Sequence, residues 1–217
     1  MDKALLKQAR RLNLRNGGPN CPIPPIVLMT DDQRLPDPEP VIRALPRDSM
    51  VIFRHYDHPM RAKLGAKLRT ICRSKGIPFL VANDVALALR LDADGVHFPE
   101  YRVLSNPSVL TCLPSHLVRT SACHSFRVLH KLRDFPHGMR PDAFLISPVF
   151  ATDSHPDRSY LGMTQALHMG QACSAMRIKA IALGGINSVN VEQLYCSSFV
   201  SLAGISFAWN LDRFVLK

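Results

Sequence analysis

The residues able to do chemistry in this chain recur at intervals, each at the end of a short apolar run. Arg54 and His55 close the run 50–56, Asn83 and Asp84 close 79–84, His97 lies within 95–98, Ser121 and His124 close 116–124, and Ser125 follows it. A polar stretch holding Thr152, Asp153, Ser154 and His155 follows the run 143–150, and Gly184, Gly185 and Gly204 close two later runs. An arginine ending a buried strand is costly without an anionic partner, so Arg54 is a candidate anion ligand. Asp84 has two readings, an oxygen ligand to Mg²⁺ or an N-cap for the helix that follows, and spacing alone favours the cap. His97 and His124 could act as bases near neutral pH, although a lone strand histidine is more often a satisfied core residue. The hydroxyls of Thr152 and Ser154, with His155, could close over an anion, and an ordinary polar loop explains them equally well. Glycine turns expose backbone N–H groups to phosphate or merely permit positive φ. Their presence at two matching strand ends favours phosphate.

The elements that carry these residues alternate regularly. Apolar runs at 26–30, 50–56, 79–84, 95–98, 116–124, 143–150, 178–186 and 199–206 read as strands. Between them lie helical spacings at 60–75, 85–91, 126–135, 163–176 and 189–196, with a last one at 207–216. In 60–75, Leu64, Leu68, Ile71 and Cys72 form one face, and Gly76 followed by Pro78 ends it. Several strands are continuously apolar, which suits parallel strands covered on both sides. Eight such units in one domain predict an α/β fold, a (β/α)₈ barrel, with the active site at the C-terminal strand ends. A doubly wound open sheet is the alternative; the absence of Gly-x-Gly-x-x-Gly after the first strand counts against a dinucleotide version. The prolines at 36, 38 and 40 mark loops, and the segment 99–115 holds at most a short helix. Residues 1–24 read as a basic extension with a frayed or loosely packed helix, and 25–217 as the barrel.

Composition narrows the partners. With 47% hydrophobic and 20% charged residues among 217, wholesale disorder is excluded. No apolar run reaches membrane-spanning length, and the start lacks the apolar block of a secretory signal. Six cysteines without close pairing read as reduced thiols of a cytoplasmic protein. The formal charge of +10 invites a nucleic-acid reading. Residues 1–20 carry a net +4, and Arg61, Lys63, Lys67, Arg69, Arg73 and Lys75 share one helix without an acid. That run reads as a solvated face, and no aromatic residues interleave with it as a single-strand binder requires. The expected partners are therefore small anions, not nucleic acid or membrane. A homo-oligomer of the chain is compatible with these features.

Together these residues resemble the thiamine phosphate synthase/TenI family. The resemblance rests on FRHY at 53–56, GIPFLVANDVALALRLDADGVHF at 76–98, ACHS at 122–125, SPVFATDSHP at 147–156, Leu161-Gly162 and AIALGGIN at 180–187. It covers about residues 25–210 and implies a TIM barrel. It also implies a transferase that joins a pyrimidine methyl diphosphate to a thiazole phosphate with loss of pyrophosphate, in thiamine biosynthesis. Of the family's Gln-x-Arg-x-Lys strand only the arginine is kept, at Arg54, with Ile52 and Tyr56 in the other two places. Asn83 and Asp84 match the family's Asn-Asp, Asp84 being the implied Mg²⁺ ligand, while Arg102 stands at the second Mg²⁺ carboxylate and Glu100 at a glutamine. The phosphate loop falls on Thr152, Asp153, Ser154 and His155, with histidine for lysine, and Gly162, Gly184, Gly185 and Gly204 fall in the phosphate-binding turns, where Ala203 replaces a serine. The implied cofactor is Mg²⁺, with one of its two carboxylates replaced. The resemblance leaves two alternatives: a TenI-like thiazole phosphate tautomerase, for which His124 matches the working histidine, and a barrel that binds a phosphorylated ligand without turnover.

Overall fold

Eight parallel strands close on themselves in chain order, β1 to β8, with β8 hydrogen-bonded back to β1. The computed structural model describes residues 2–18, 21–151 and 160–205. The strands are β1 (Ile26–Met29), β2 (Ser49–Phe53), β3 (Phe79–Ala82), β4 (Gly95–Phe98), β5 (Val118–Cys123), β6 (Ala143–Ile146), β7 (Lys179–Leu183) and β8 (Phe199–Gly204). The helices are α1 (Lys3–Leu12), α2 (Glu39–Ala44), α3 (Arg61–Lys75), α4 (Val85–Arg90), α5 (Glu100–Ser105), α6 (Phe126–Arg133) and α7 (Gly162–Ala175), and a 3₁₀ turn, Val191–Leu194, links β7 to β8. This is the expected (β/α)₈ barrel. The helix expected at 207–216 lies outside the described residues, as do Thr152, Ser154 and His155.

The strand faces follow from what each side chain meets. Phe53 lies against Gly65 of α3 and stacks on Phe79, so it points outward under the helix layer. The period of two then turns Ile52 and Arg54 to the barrel interior. In β4, Phe98 lies under Arg102 of α5, which turns His97 inward by the same alternation. Both faces are dry: nearly every residue of β1 to β4 is fully buried, as parallel strands covered by helices require. At the opposite end of the barrel, aspartates brace the strand starts. Asp94 accepts from Phe79 N at 2.7 Å and from both terminal nitrogens of Arg69, and Asp142 accepts from Arg119 N at 2.7 Å.

Two expectations give way here. The N-terminal helix is docked, not frayed. Asp2 caps it through Ala4 N and Leu5 N, and Leu5, Ala9 and Leu12 are buried in the common core. Past its end, Asn13 donates to Ile23 O and Val200 O, and Asn16 donates to Ser197 O and Phe199 O. These bonds tie the segment to the start of β8, so apolar spacing within a basic stretch decided the outcome. The proline-rich segment also forms a helix, α2, because Pro40 sits in its first turn, where no N–H is needed. Among the described residues no helix is long and apolar enough to cross a membrane.

Candidate active site at the barrel mouth

The ends of β2, β3 and β4 converge on one cluster of cations. Arg54 follows β2; its backbone N–H donates to Thr30 Oγ1, and its guanidinium lies 3.6 Å from Asp31. Asn83 follows β3 in the left-handed region at φ 57, a conformation asparagine tolerates better than most. Arg102, on the first α5 turns, donates from Nη1 to Asn83 O at 3.1 Å and to Asn83 Oδ1 at 2.7 Å. Asn83 Nδ2 in turn donates to the Tyr101 hydroxyl at 3.4 Å. Arg61, the first residue of α3, is more deeply set. Its Nε donates to His55 O, its Nη2 to Ala82 O and its Nη1 to Asp84 Oδ2, all within 2.9 Å, and it lies over the rings of Phe53 and Tyr56.

Of the two roles read from spacing, Asp84 takes the cap, and its other oxygen pairs with an arginine. Its Oδ1 accepts from Leu87 N at 2.8 Å, an N-cap for α4, and its Oδ2 is taken by Arg61. A divalent ion would need a further oxygen here, and the nearest ones do not serve. Asn83 O and Oδ1 are already turned to Arg102. A +2 ion ~5 Å from a guanidinium is repelled by several kcal/mol at an effective dielectric of about 20. Among the described residues, no three His, Cys, Asp or Glu side chains gather as a metal site. The residues present do not fit the Mg²⁺ that the resemblance implies.

Across the mouth, His124 follows β5. Its Nδ1 lies 2.9 Å from Ser147 O, a carbonyl that can only accept, and 3.2 Å from Ser147 Oγ, so Nδ1 carries a proton and Nε2 is the ring nitrogen left to other partners. Glu100 accepts from His124 N and Ser125 Oγ, tying the end of β5 to α5. His97 is buried below, with Nδ1 2.9 Å from Thr120 Oγ1. Burial pushes it down to about 3, with the nearby charges of Arg54 and His124 acting in the same direction, so it is a neutral core histidine and not a base. His55 is likewise buried, bonded to Thr30 Oγ1, and lowered by burial.

These depressed histidines set a pH dependence. The unfolded chain protonates them near the ordinary value of 6.5 and the folded chain only below it, for His97 at about 3, so stability is full above 6.5 and falls as pH drops toward the folded value. His97 alone is expected to withdraw about 2 kcal/mol between pH ~7 and pH ~5. Urea melts of the wild type and of His97→Gln across that range check it, and equal slopes for the two proteins would refute it.

Gly184 and Gly185 close β7 at φ 101 and 65. A Cβ on Gly184 would come within 2.8 Å of Pro148, and one on Gly185 within 2.2 Å of Ala151 O. The strand 6 loop runs directly over this turn, with Val149 N donating to Leu183 O and Phe150 N to Gly184 O. Close approach therefore accounts for both glycines by itself. Gly162 opens α7 at φ 74, no side chain among the described residues caps that helix, and Gly204 ends β8, buried.

The main residue missed from the sequence is Arg61, read there as one of a solvated basic run. That run is not silent: Lys67 pairs with Glu39, Arg69 with Asp94 and Arg73 with Asp92, while Arg61 enters the mouth. A topological signal was present, because in a barrel the first turn of each helix opens beside the C-terminal strand ends.

Comparison with known proteins fits this geometry. A family model described as thiamine monophosphate synthase matches residues 27–207. The thiamine-phosphate synthase of Helicobacter pylori is 26% identical over 132 residues, 61% of this chain and 58% of the relative. That of Latilactobacillus sakei is 26% identical over 155 residues, 68% of this chain and 63% of the relative. The chain thus spans about three fifths of the length of these two curated relatives. The solved thiamine phosphate pyrophosphorylase from Pyrococcus furiosus superposes with a TM-score of 0.63 at 22% identity, covering 91% of this chain and 87% of that one, a likeness of fold.

Proposed function

The chain belongs to the thiamine monophosphate synthase family, and from that premise we propose that it joins a hydroxymethylpyrimidine diphosphate to a thiazole phosphate. The C–O bond between the pyrimidine methylene and the diphosphate breaks, and its electron pair leaves with pyrophosphate. The thiazole nitrogen lone pair then forms the new C–N bond. No redox partner is needed. Such a step develops negative charge on the departing diphosphate, and fixed cations aimed at it lower the barrier. The observation that carries the reading is the set of three guanidinium groups, Arg54, Arg61 and Arg102, at neighbouring strand ends of a barrel of this family. The turns at Gly162, Gly184–Gly185 and Gly204 lie at the ends of the opposite strands, where the thiazole phosphate would be bound.

The test is turnover of the two phosphorylated substrates by the purified chain, with thiamine phosphate and pyrophosphate measured separately. Arg54→Ala is expected to lower kcat/KM by ~100-fold, the usual loss on removing one charge-stabilising donor. No thiamine phosphate under any condition sinks the reading.

One observation favours a second reading, a thiazole phosphate tautomerase. His124, with Nδ1 bonded to Ser147 O, keeps Nε2 as its second ring nitrogen, the position from which an imidazole moves a proton. Under that reading the chain isomerises the thiazole phosphate alone, and His124→Gln abolishes the isomerisation.

A further inference from the structure

We infer that this site holds the diphosphate of its substrate through guanidinium groups in place of a metal ion, Arg61 and Arg102 supplying the positive charge. The inference rests on the synthase reading for its ligand and goes beyond it in the chemistry of binding.

The argument begins from what each oxygen at the ends of β3 and β4 is doing. Asp84 gives one oxygen to the α4 N-terminus and the other to Arg61. Asn83 gives its backbone and side-chain oxygens to Arg102. Every oxygen these two residues could offer a cation is thus already facing an arginine or an N–H. Arg102, in contrast, keeps unused donors. Each guanidinium carries five N–H groups. Arg102 spends only Nη1 on Asn83 and has no carboxylate partner among the described residues, leaving its Nε and Nη2 for another acceptor. Arg61 is fixed by three bonds and two rings, so it is held in place before any ligand arrives.

Two arginines are a sound replacement for one divalent ion. Each is charged at every working pH, and the unused Nε–Nη2 edge of Arg102 can meet two phosphate oxygens at once. Tyr56 and Tyr101 stand beside them with exposed faces and hydroxyls that can add neutral donors. Arg54, on the interior side of the same strand ends, supplies a third cation.

Calorimetric titration of the full chain with inorganic pyrophosphate, once with Mg²⁺ and once with chelator, tests this. Binding is expected in chelator, within about threefold of that with Mg²⁺. Arg102→Gln is expected to weaken the chelator titration by ~10-fold or more, as loss of a charge-assisted pair does. Arg102→Asp, which provides a second carboxylate, is expected to bind pyrophosphate only when Mg²⁺ is present. Circular dichroism confirms that each variant is folded, and Arg102, at the edge of the cluster, is chosen because Arg61 also braces the strands. Binding in Mg²⁺ but not in chelator overturns the inference, as does no binding in either, or binding in chelator that Arg102→Gln leaves unchanged. The synthase reading fails separately. If pyrophosphate binds without metal and no thiamine phosphate is made, that reading falls and the inference stands. If thiamine phosphate forms only with Mg²⁺, the reading stands and the inference falls.

Discussion

Arg61→Ala is expected to remove thiamine phosphate formation almost entirely, by ~1,000-fold in kcat/KM, and to lower stability by about 2 kcal/mol. The two effects have separate sources. For stability, the side chain is 16% exposed and donates to two backbone carbonyls, His55 O and Ala82 O, that lose these partners with it. The ion pair with Asp84 adds less, because that carboxylate is 37% exposed and water can replace the arginine. For activity, the loss goes beyond one charge. Arg61 ties the end of β2 to the end of β3, and Asp84 would be left as an uncompensated negative charge where the diphosphate is proposed to bind. Arg61→Lys separates positioning from charge. An ammonium keeps the charge but cannot bond His55 O, Ala82 O and Asp84 in one plane, so it is expected to recover binding of pyrophosphate more than turnover. Steady-state kinetics with a urea melt on each variant measures both effects. Turnover within tenfold of wild type in Arg61→Ala would remove Arg61 from the site.

The barrel was legible because its cause is repetitive. Eight apolar runs alternating with helical spacings favour a closed barrel over an open doubly wound sheet, and the strand ends then select the site. Arg54, Asn83 and Asp84 could be found this way, since each directly follows a buried strand. Asp84 shows what sequence leaves open. The cap and metal readings need the same carboxylate at the same place, and only the position of Arg61, 23 residues earlier, separates them. Arg61 itself was hidden by company: in a run with five other cations, nothing local distinguishes the one that faces the mouth from those that pair with Asp92, Asp94 or Glu39. The docking of α1 was obscured in the same way, by basic residues flanking an apolar stripe of Leu5, Ala9 and Leu12. In each instance the missing information is a long-range partner, which composition and periodicity do not carry.

The largest effect on folding is expected at a residue that makes no side-chain contact at all. Gly95 opens β4 in register with Val118 of β5. A Cβ there would lie 2.1 Å from Val118 O and 2.9 Å from its carbonyl carbon. The obstacle is backbone, not the end of a flexible side chain, and the backbone is held on both sides. Val118 N donates to Asp94 O, Arg119 O accepts from Asp142 N, and β5 pairs with β6 from Thr120 onward, so β5 cannot move away without disturbing its own ladder. A closed barrel also has no free edge through which the strain could relax. Gly95→Ala is therefore expected to cost about 3 kcal/mol or more, lowering Tm by roughly 6–12 °C in a domain of this size. Gly138→Ala is the control, because a Cβ there meets nothing within 4 Å, and it is expected to melt with the wild type. The same change reaches the site. His97 lies two residues along the strand from Gly95, bonded to Thr120 two residues along from Val118, so prising β4 from β5 stretches that 2.9 Å bond. Its loss would leave a buried imidazole nitrogen without a partner beneath Arg54 and His124, and pyrophosphate binding by the folded fraction is expected to weaken in parallel with Tm. A Gly95→Ala protein that melts with the wild type would mean that β4 and β5 are further apart than their register requires.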